Sequence, residues 1–184
     1  MKIFNSVRDY GTVAPTLHWC TVVLVALAWA LGTFDDVLPK VGPRASGLFV
    51  HILAGLAIVA LLAARVVWRM IDKPPSPEPG RLGVWPHRLA MLAHLALYAL
   101  LLAVPVVGIV LQFARGEPLP LFGLMDIASP WPGDRAFARS VKEVHEVLAH
   151  ALVIIAALHA LAAMMHHWIF RDRTLVRMLP HSGE

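Results

Sequence analysis

The sequence predicts an all-α integral membrane protein, a bundle of four transmembrane helices. Composition is the first observation behind this: of 184 residues 58% are hydrophobic and 15% charged, with a mean hydropathy of +0.67, whereas about a quarter of a soluble domain is charged. The second is that four apolar stretches each reach the roughly 20 residues a helix needs to cross a bilayer. Lipid offers the backbone no hydrogen-bond partners, so spans of that length must be helical. The third is the distribution of the 16 basic residues, which lie between long uncharged runs. A nucleic-acid binder would gather them on one solvated face. The expected surroundings are therefore membrane lipid, with no nucleic-acid partner, despite a net charge of +4. Cys20 is the only cysteine, which excludes an internal disulfide.

The first span is uncharged from Tyr10 to Phe34. It exceeds the roughly 7–15-residue core of a signal peptide, and no small-residue cleavage site follows before Asp35 and Asp36, so it is expected to be retained. Pro15 is expected to begin the helix, where a missing N–H costs nothing. The second span covers 46–68, with Ser46 after Pro43 as its cap. A linker from Asp72 to Trp85 carries Pro74, Pro75, Pro77 and Pro79, with Pro86 just beyond, and is expected to be extended. The third span covers 89–113, bent at Pro105-Val-Val-Gly108. The longest loop runs from Ala114 to Arg139 and contains Gly116, Pro118, Pro120, Pro130, Pro132 and Gly133; a loop of this length either folds over a site or is mobile. The apolar run of the fourth span, Val144 to Phe170, is interrupted only by Glu146. The pattern Ser140-Val-Lys-Glu143 fits a capping box and starts the helix near residue 141. The helices are thus expected at about 10–34, 46–68, 89–113 and 141–170.

Ten basic residues flank the N-terminus, the 2–3 linker and the C-terminal tail, against six in the other two loops. The positive-inside rule places both termini in the cytoplasm. Trp19, Trp29, Trp68 and Trp168 lie towards span ends and read as interfacial anchors.

Ten histidines are the oddity of so apolar a chain, and ionisable groups within a membrane mark function by default. With this orientation His51 and His145 lie near the outer ends of helices 2 and 4, while His18, His94 and His159 lie at one inner depth. From His145 to His159 is fourteen residues, about 21 Å along a helix and within roughly 40° of one face. Helix 4 therefore offers two ligands, one per leaflet. That geometry suits two stacked b-type haems, each held by two imidazoles, a ligation that favours electron transfer over oxygen binding. His51 is the partner of His145, whereas depth alone leaves His18 and His94 both open as partners of His159. Small residues nearby, including Ala54, Gly55, Ala156, Ala160 and Ala163, leave room for a flat macrocycle. The competing uses of such histidines are interhelical hydrogen bonding, or a proton or metal path. His150 points about 140° away from His145 and reads as packing or lipid-facing. His87 and His181 read as solvated, and His167 as interfacial. His166, two turns beyond His159, is placed to border a small-molecule site. Arg115, Arg135, Arg139 and Lys142 make the outer mouth basic, either as headgroup anchors or as a funnel for an anionic donor.

The order and spacing of several short motifs resemble the bacterial four-helix cytochrome b561 family over nearly the whole chain. They are Leu17-His18-Trp19, Val50-His51-Ile52 with Gly55, Leu92-Ala-His94-Leu95 with Tyr98, Pro105-Val-Val-Gly108, Arg115-Gly116 with Pro118 and Phe122-Gly123-Leu124, Lys142 with His145-Glu146, Leu158-His159-Ala160 to His166-His167, and Leu175 to Pro180. The resemblance implies a single membrane domain, 1–184, with two haems b: His18 and His159 as axial ligands of the inner iron, His51 and His145 of the outer, and His94 as a pocket residue. It also implies ubiquinone near the inner haem, with His166 at the matching position. The resemblance places the protein in a bacterial inner membrane and leaves the electron donor open; the expected activity is superoxide:ubiquinone oxidoreductase, with Arg115 of the basic mouth guiding the anion. Related four-helix cytochromes instead anchor periplasmic dehydrogenases or serve soluble redox proteins, which keeps a non-catalytic subunit as the alternative.

Overall fold

The computed structural model describes residues 3–7, 9–34, 43–76 and 85–179, with the backbone alone for 43–45 and 85–87. Expectations for Asp35, Asp36, Pro77, Pro79 and His181, and for the side chain of His87, lie outside the described residues. Four long helices are present: α1 (Val13–Thr33), α2 (Pro43–Ile71), α3 (Trp85–Ala114) and α4 (Arg135–Met165). All four are long and apolar enough to cross a membrane.

Three expected starts are corrected. Helix α1 begins at Val13, so Pro15 is its third residue and not its first; a proline there still lacks only an N–H that has no partner in a first turn. Helix α2 begins at Pro43, which puts Ser46 inside it. Helix α4 begins at Arg135, with Asp134 as its cap: one carboxylate oxygen accepts from Ala136 N at 2.8 Å and Phe137 N at 3.1 Å. The Ser140 capping box does not form, and the Ser140 hydroxyl donates to the Ala136 carbonyl. An earlier start wins because it brings Ala138 under Leu111 and Ala114, a small buried cluster at this end.

The long connection between α3 and α4 is also more ordered than expected. It contains a hairpin of β1 (Leu119–Leu121) and β2 (Met125–Ile127), in antiparallel register with Leu119 opposite Ile127. The all-α description therefore gains two three-residue strands. Asp134 N donates to Ala114 O, and Ser129 Oγ to Phe113 O, tying the connection to the end of α3. Gly116 makes this closure possible: its φ is +76°, and a Cβ there would lie 2.9 Å from the Gly133 backbone nitrogen.

Helix α1 packs along α2 and α3 along α4, while α2 meets α3; α1 and α4 barely touch. The central core is Ile58, Leu62, Leu101 and Leu152, with Leu24, Val25, Leu97 and Tyr98 packed around it. Val23, Leu95, Ile154 and Leu158 are exposed on outward faces, as expected where the surroundings are lipid. Pro105 has no N–H to give the preceding turn of α3.

At the end opposite the hairpin, three distant segments form a clasp. Asn5 N donates to Asp72 Oδ2 at 2.9 Å, and Phe4 stacks on Trp68. Arg173 pairs with Asp9 at 2.9 Å, Trp19 Nε1 donates to the Met178 carbonyl at 2.7 Å, and buried Arg177 donates to the Ser76 carbonyl. Helix α4 passes into this region through a π-helical turn, His166–Phe170, which ends at Arg171 in the left-handed region.

Candidate functional site

At the hairpin end, α2 and α4 bring His51 and His145 together, with ring centroids 6.1 Å apart. Each Nδ1 faces a backbone carbonyl: His51 that of Ala28 at 2.8 Å, His145 that of Val104 at 3.1 Å. A carbonyl only accepts, so both Nδ1 atoms carry the proton and both Nε2 lone pairs are left free. Metal-ligating histidines are oriented in this way, by a second hydrogen bond that fixes the tautomer. Two glycines make space for the rings. A Cβ on Gly32 would lie 3.2 Å from His51 Cε1, and one on Gly108 3.1 Å from His145 Cε1.

The pair borders a cavity of about 630 Å³ between all four helices, lined by Trp29, Gly55, Pro105 and Gly108 among others. Trp29 Nε1 is buried there without a hydrogen-bond partner. These residues fit a haem. Metal–nitrogen bonds of about 2 Å on both sides of an iron place the imidazole centroids about 6 Å apart, the spacing found, and the orphan indole N–H is a donor for an acidic substituent.

The mouth of the cavity differs from the expected basic funnel. Arg115 and Lys142 line it, but so do Glu117 and Glu146, and Lys142 is paired with Glu146 at 3.2 Å. Arg135 and Arg139 are exposed on the first turns of α4 and do not line the cavity. The rim is formally neutral, and Arg115 is its cation without an ion-pair partner among the described residues. His150 is exposed, its Nδ1 turned to the Glu146 carbonyl of its own helix at 2.7 Å.

Towards the other end, His18 on α1, His94 on α3 and His159 on α4 converge with Arg65 of α2. The His94 and His159 rings are 5.1 Å apart. Arg65 Nη1 lies 3.3 Å from His18 Nδ1, and its guanidinium lies over the Tyr98 ring at 5.6 Å. Arginine only donates, so His18 accepts at Nδ1 in this arrangement. A His18 that ligates iron through Nε2 carries its proton on Nδ1 and must give up this bond. The three histidines expected at one depth are therefore together, with His94 rather than His18 against His159.

His166, in the π-helical turn, bonds Asp172 Oδ2 through Nδ1 at 2.5 Å, and its ring lies against Phe170. Burial alone would raise the Asp172 carboxyl, but hydrogen bonds from His166 and from the Thr174 backbone and side chain hold it below the ordinary carboxylate value. Sequence reasoning missed Asp172, the two glycines against the histidine rings, and Arg65, which entered only as a basic residue for topology. For Arg65 the signal was present: it is a cation within the second apolar run.

A family model described as prokaryotic cytochrome b561 matches residues 9–181. The chain is 33% identical to cytochrome b561 homolog 2 of Escherichia coli K12, over 100% of this chain and 97% of that protein. It is 30% identical to a probable superoxide oxidase, CybB, of Yersinia pestis, over 94% of this chain and 97% of that protein. Identity to cytochrome b562 of Cereibacter sphaeroides is 27%, covering 92% and 94%.

Proposed function

The chain belongs to the prokaryotic cytochrome b561 family of four-helix membrane cytochromes, and we propose that it is a dihaem superoxide:ubiquinone oxidoreductase. The observation that carries this reading is the His51–His145 pair, its ring centroids 6.1 Å apart and both Nε2 atoms free, at the edge of a cavity between the four helices. In this reading His51 and His145 hold the outer haem and His18 and His159 the inner one, with both termini cytoplasmic. When bound, each haem would supply a one-electron iron couple, held by these histidines. Two superoxide anions each give up one electron and leave as O2; ubiquinone takes two electrons and two protons and leaves as ubiquinol.

The chain's own residues position these events. The carbonyls of Ala28 and Val104 lock the outer imidazoles. Arg115, unpaired at the mouth, attracts the anion. His166, fixed through Nδ1 by Asp172, presents Nε2 to a quinone oxygen and passes it a proton at that atom. The name of the Yersinia pestis relative supports superoxide as donor.

The inner ligands have a second reading, favoured by the 5.1 Å contact of His94 with His159. Substitution separates the two. His18→Ala should cost the inner haem and His94→Ala should retain both; the opposite result assigns His94 as the ligand. The role also has a second reading, a non-catalytic subunit that docks a periplasmic dehydrogenase or soluble cytochrome. The formally neutral rim and the apolar hairpin tip, where Leu124 is 88% exposed, favour it. Stopped-flow mixing of the purified, haem-quantified protein with superoxide and a ubiquinone analogue decides between them. Two haems per chain and one ubiquinol per two superoxide anions support the proposal. Haem that is reduced only when a dehydrogenase is added overturns it.

A further inference from the structure

Arg65 is the unexpected group at the inner cluster. It lies six residues before the end of α2, half-buried, in a helix whose run from Ser46 to Ala64 carries no charge. Ionisable groups at such depth are retained for a reason. Its guanidinium touches His18 and Tyr98, and its charge acts on His94 and His159 as well. Among the described residues it has no carboxylate partner. The described acidic groups at this end are engaged elsewhere: Asp9 with Arg173, Asp72 with the Asn5 backbone, Asp172 with His166.

The two histidine clusters therefore offer the same ligand chemistry in different fields. At the hairpin end the cations Arg115 and Lys142 are matched by Glu117 and Glu146. At the other end the charge of Arg65, with that of Arg69 one turn further along α2, acts on the histidines, and among the described residues Arg65 has no carboxylate to compensate it. We propose that Arg65 is a positioning residue for the electron: its uncompensated charge makes the inner site the sink, so that electrons entering at the outer site run inwards. The proposal rests on the dihaem reading above. A cation favours whichever state of a neighbouring redox centre holds one more electron. At about 10 Å and an effective dielectric of about 20, a unit charge shifts the partition of an electron between the sites roughly tenfold, which for a one-electron couple is about 59 mV. The effect acts through space. It survives loss of the Arg65–His18 hydrogen bond, which ligation through His18 Nε2 would require.

The test is anaerobic potentiometric titration of the purified dihaem protein, monitored by its visible spectrum, for the wild type, Arg65→Gln and Arg65→Lys. Arg65→Gln should lower one midpoint potential by about 59 mV, the roughly tenfold shift above, and the other by less than half as much; Arg65→Lys should keep the wild-type values. Tyr98→Glu, which places a carboxylate against an intact Arg65, should lower the same potential, and it serves if Arg65→Gln does not assemble. Unmoved potentials in Arg65→Gln or Tyr98→Glu, an equal shift of both haems, or failure of Arg65→Lys to retain the wild-type values overturns the proposal while leaving the dihaem reading intact. A wild type without two titrating haems overturns that reading, and this proposal with it.

Discussion

Replacing Gly108 with alanine adds one methyl group where α3 passes closest to the His145 ring. The new Cβ would lie 3.1 Å from His145 Cε1, against about 3.5 Å for an ordinary carbon–carbon contact, so the ring must give by about 0.4 Å. It has little freedom to do so, because Nδ1 is held by the Val104 carbonyl at 3.1 Å. A retreat of that size takes the bond to about the limit of useful hydrogen bonding, and loss of such an outer-shell bond typically costs about 10–100-fold in metal affinity. Helix propensity acts the other way, since alanine in place of glycine favours a helix interior by about 0.8–1.0 kcal/mol. The expected result for Gly108→Ala is thus a fold that is intact or slightly more stable and, on the dihaem proposal, one haem weakly bound or partly high-spin. Haem per chain, the low-spin absorption bands and thermal unfolding measure all three effects. Two fully occupied low-spin haems in Gly108→Ala, indistinguishable from wild type, would refute the claim that this glycine exists to seat the His145 ring.

Asp134→Ala should destabilise the protein by about 1 kcal/mol, the usual worth of an N-cap, whereas Ser140→Ala should stay within a few tenths; thermal unfolding of the two variants compares the caps directly. Asp172 contributes through a depressed carboxyl, so its effect is fully present above the ordinary value of 3.8 and is lost as pH falls below it. Protease cleavage of the C-terminal tail should accordingly rise below about pH 4 in the wild type, and Asp172→Asn should show that susceptibility already at neutral pH with no further acid step.

The four spans were legible because length and hydropathy decide them, and nothing in the tertiary structure competes with a bilayer's demand for satisfied backbone. Their starts were less so. Ser140 and Glu143 have the spacing of a capping box, but Asp134 wins because the extra turn buries Ala138 against α3, a contact that no local pattern encodes. Depth along a helix is also legible, which is why His51 and His145, and the set of His18, His94 and His159, could be named. Rotation about the helix axis is not, and it separates His18 from His94 and turns Arg65 inwards to Tyr98. The cradle glycines were invisible for the same reason: Gly32 matters only because a histidine from another helix lies 3.2 Å from where its Cβ would be.

The clasp has a consequence for the order of assembly. Two helical hairpins, α1–α2 and α3–α4, meet mainly through α2 and α3, and lipid supplies no hydrophobic force to press their free sides together. What bridges those sides is made by the last part of the chain: Arg173 to Asp9, Trp19 to Met178, Arg177 to Ser76. During synthesis these contacts can form only after residues 173–178 have left the ribosome, so the tie between the first helix and the tail is among the last parts of the described structure to be made.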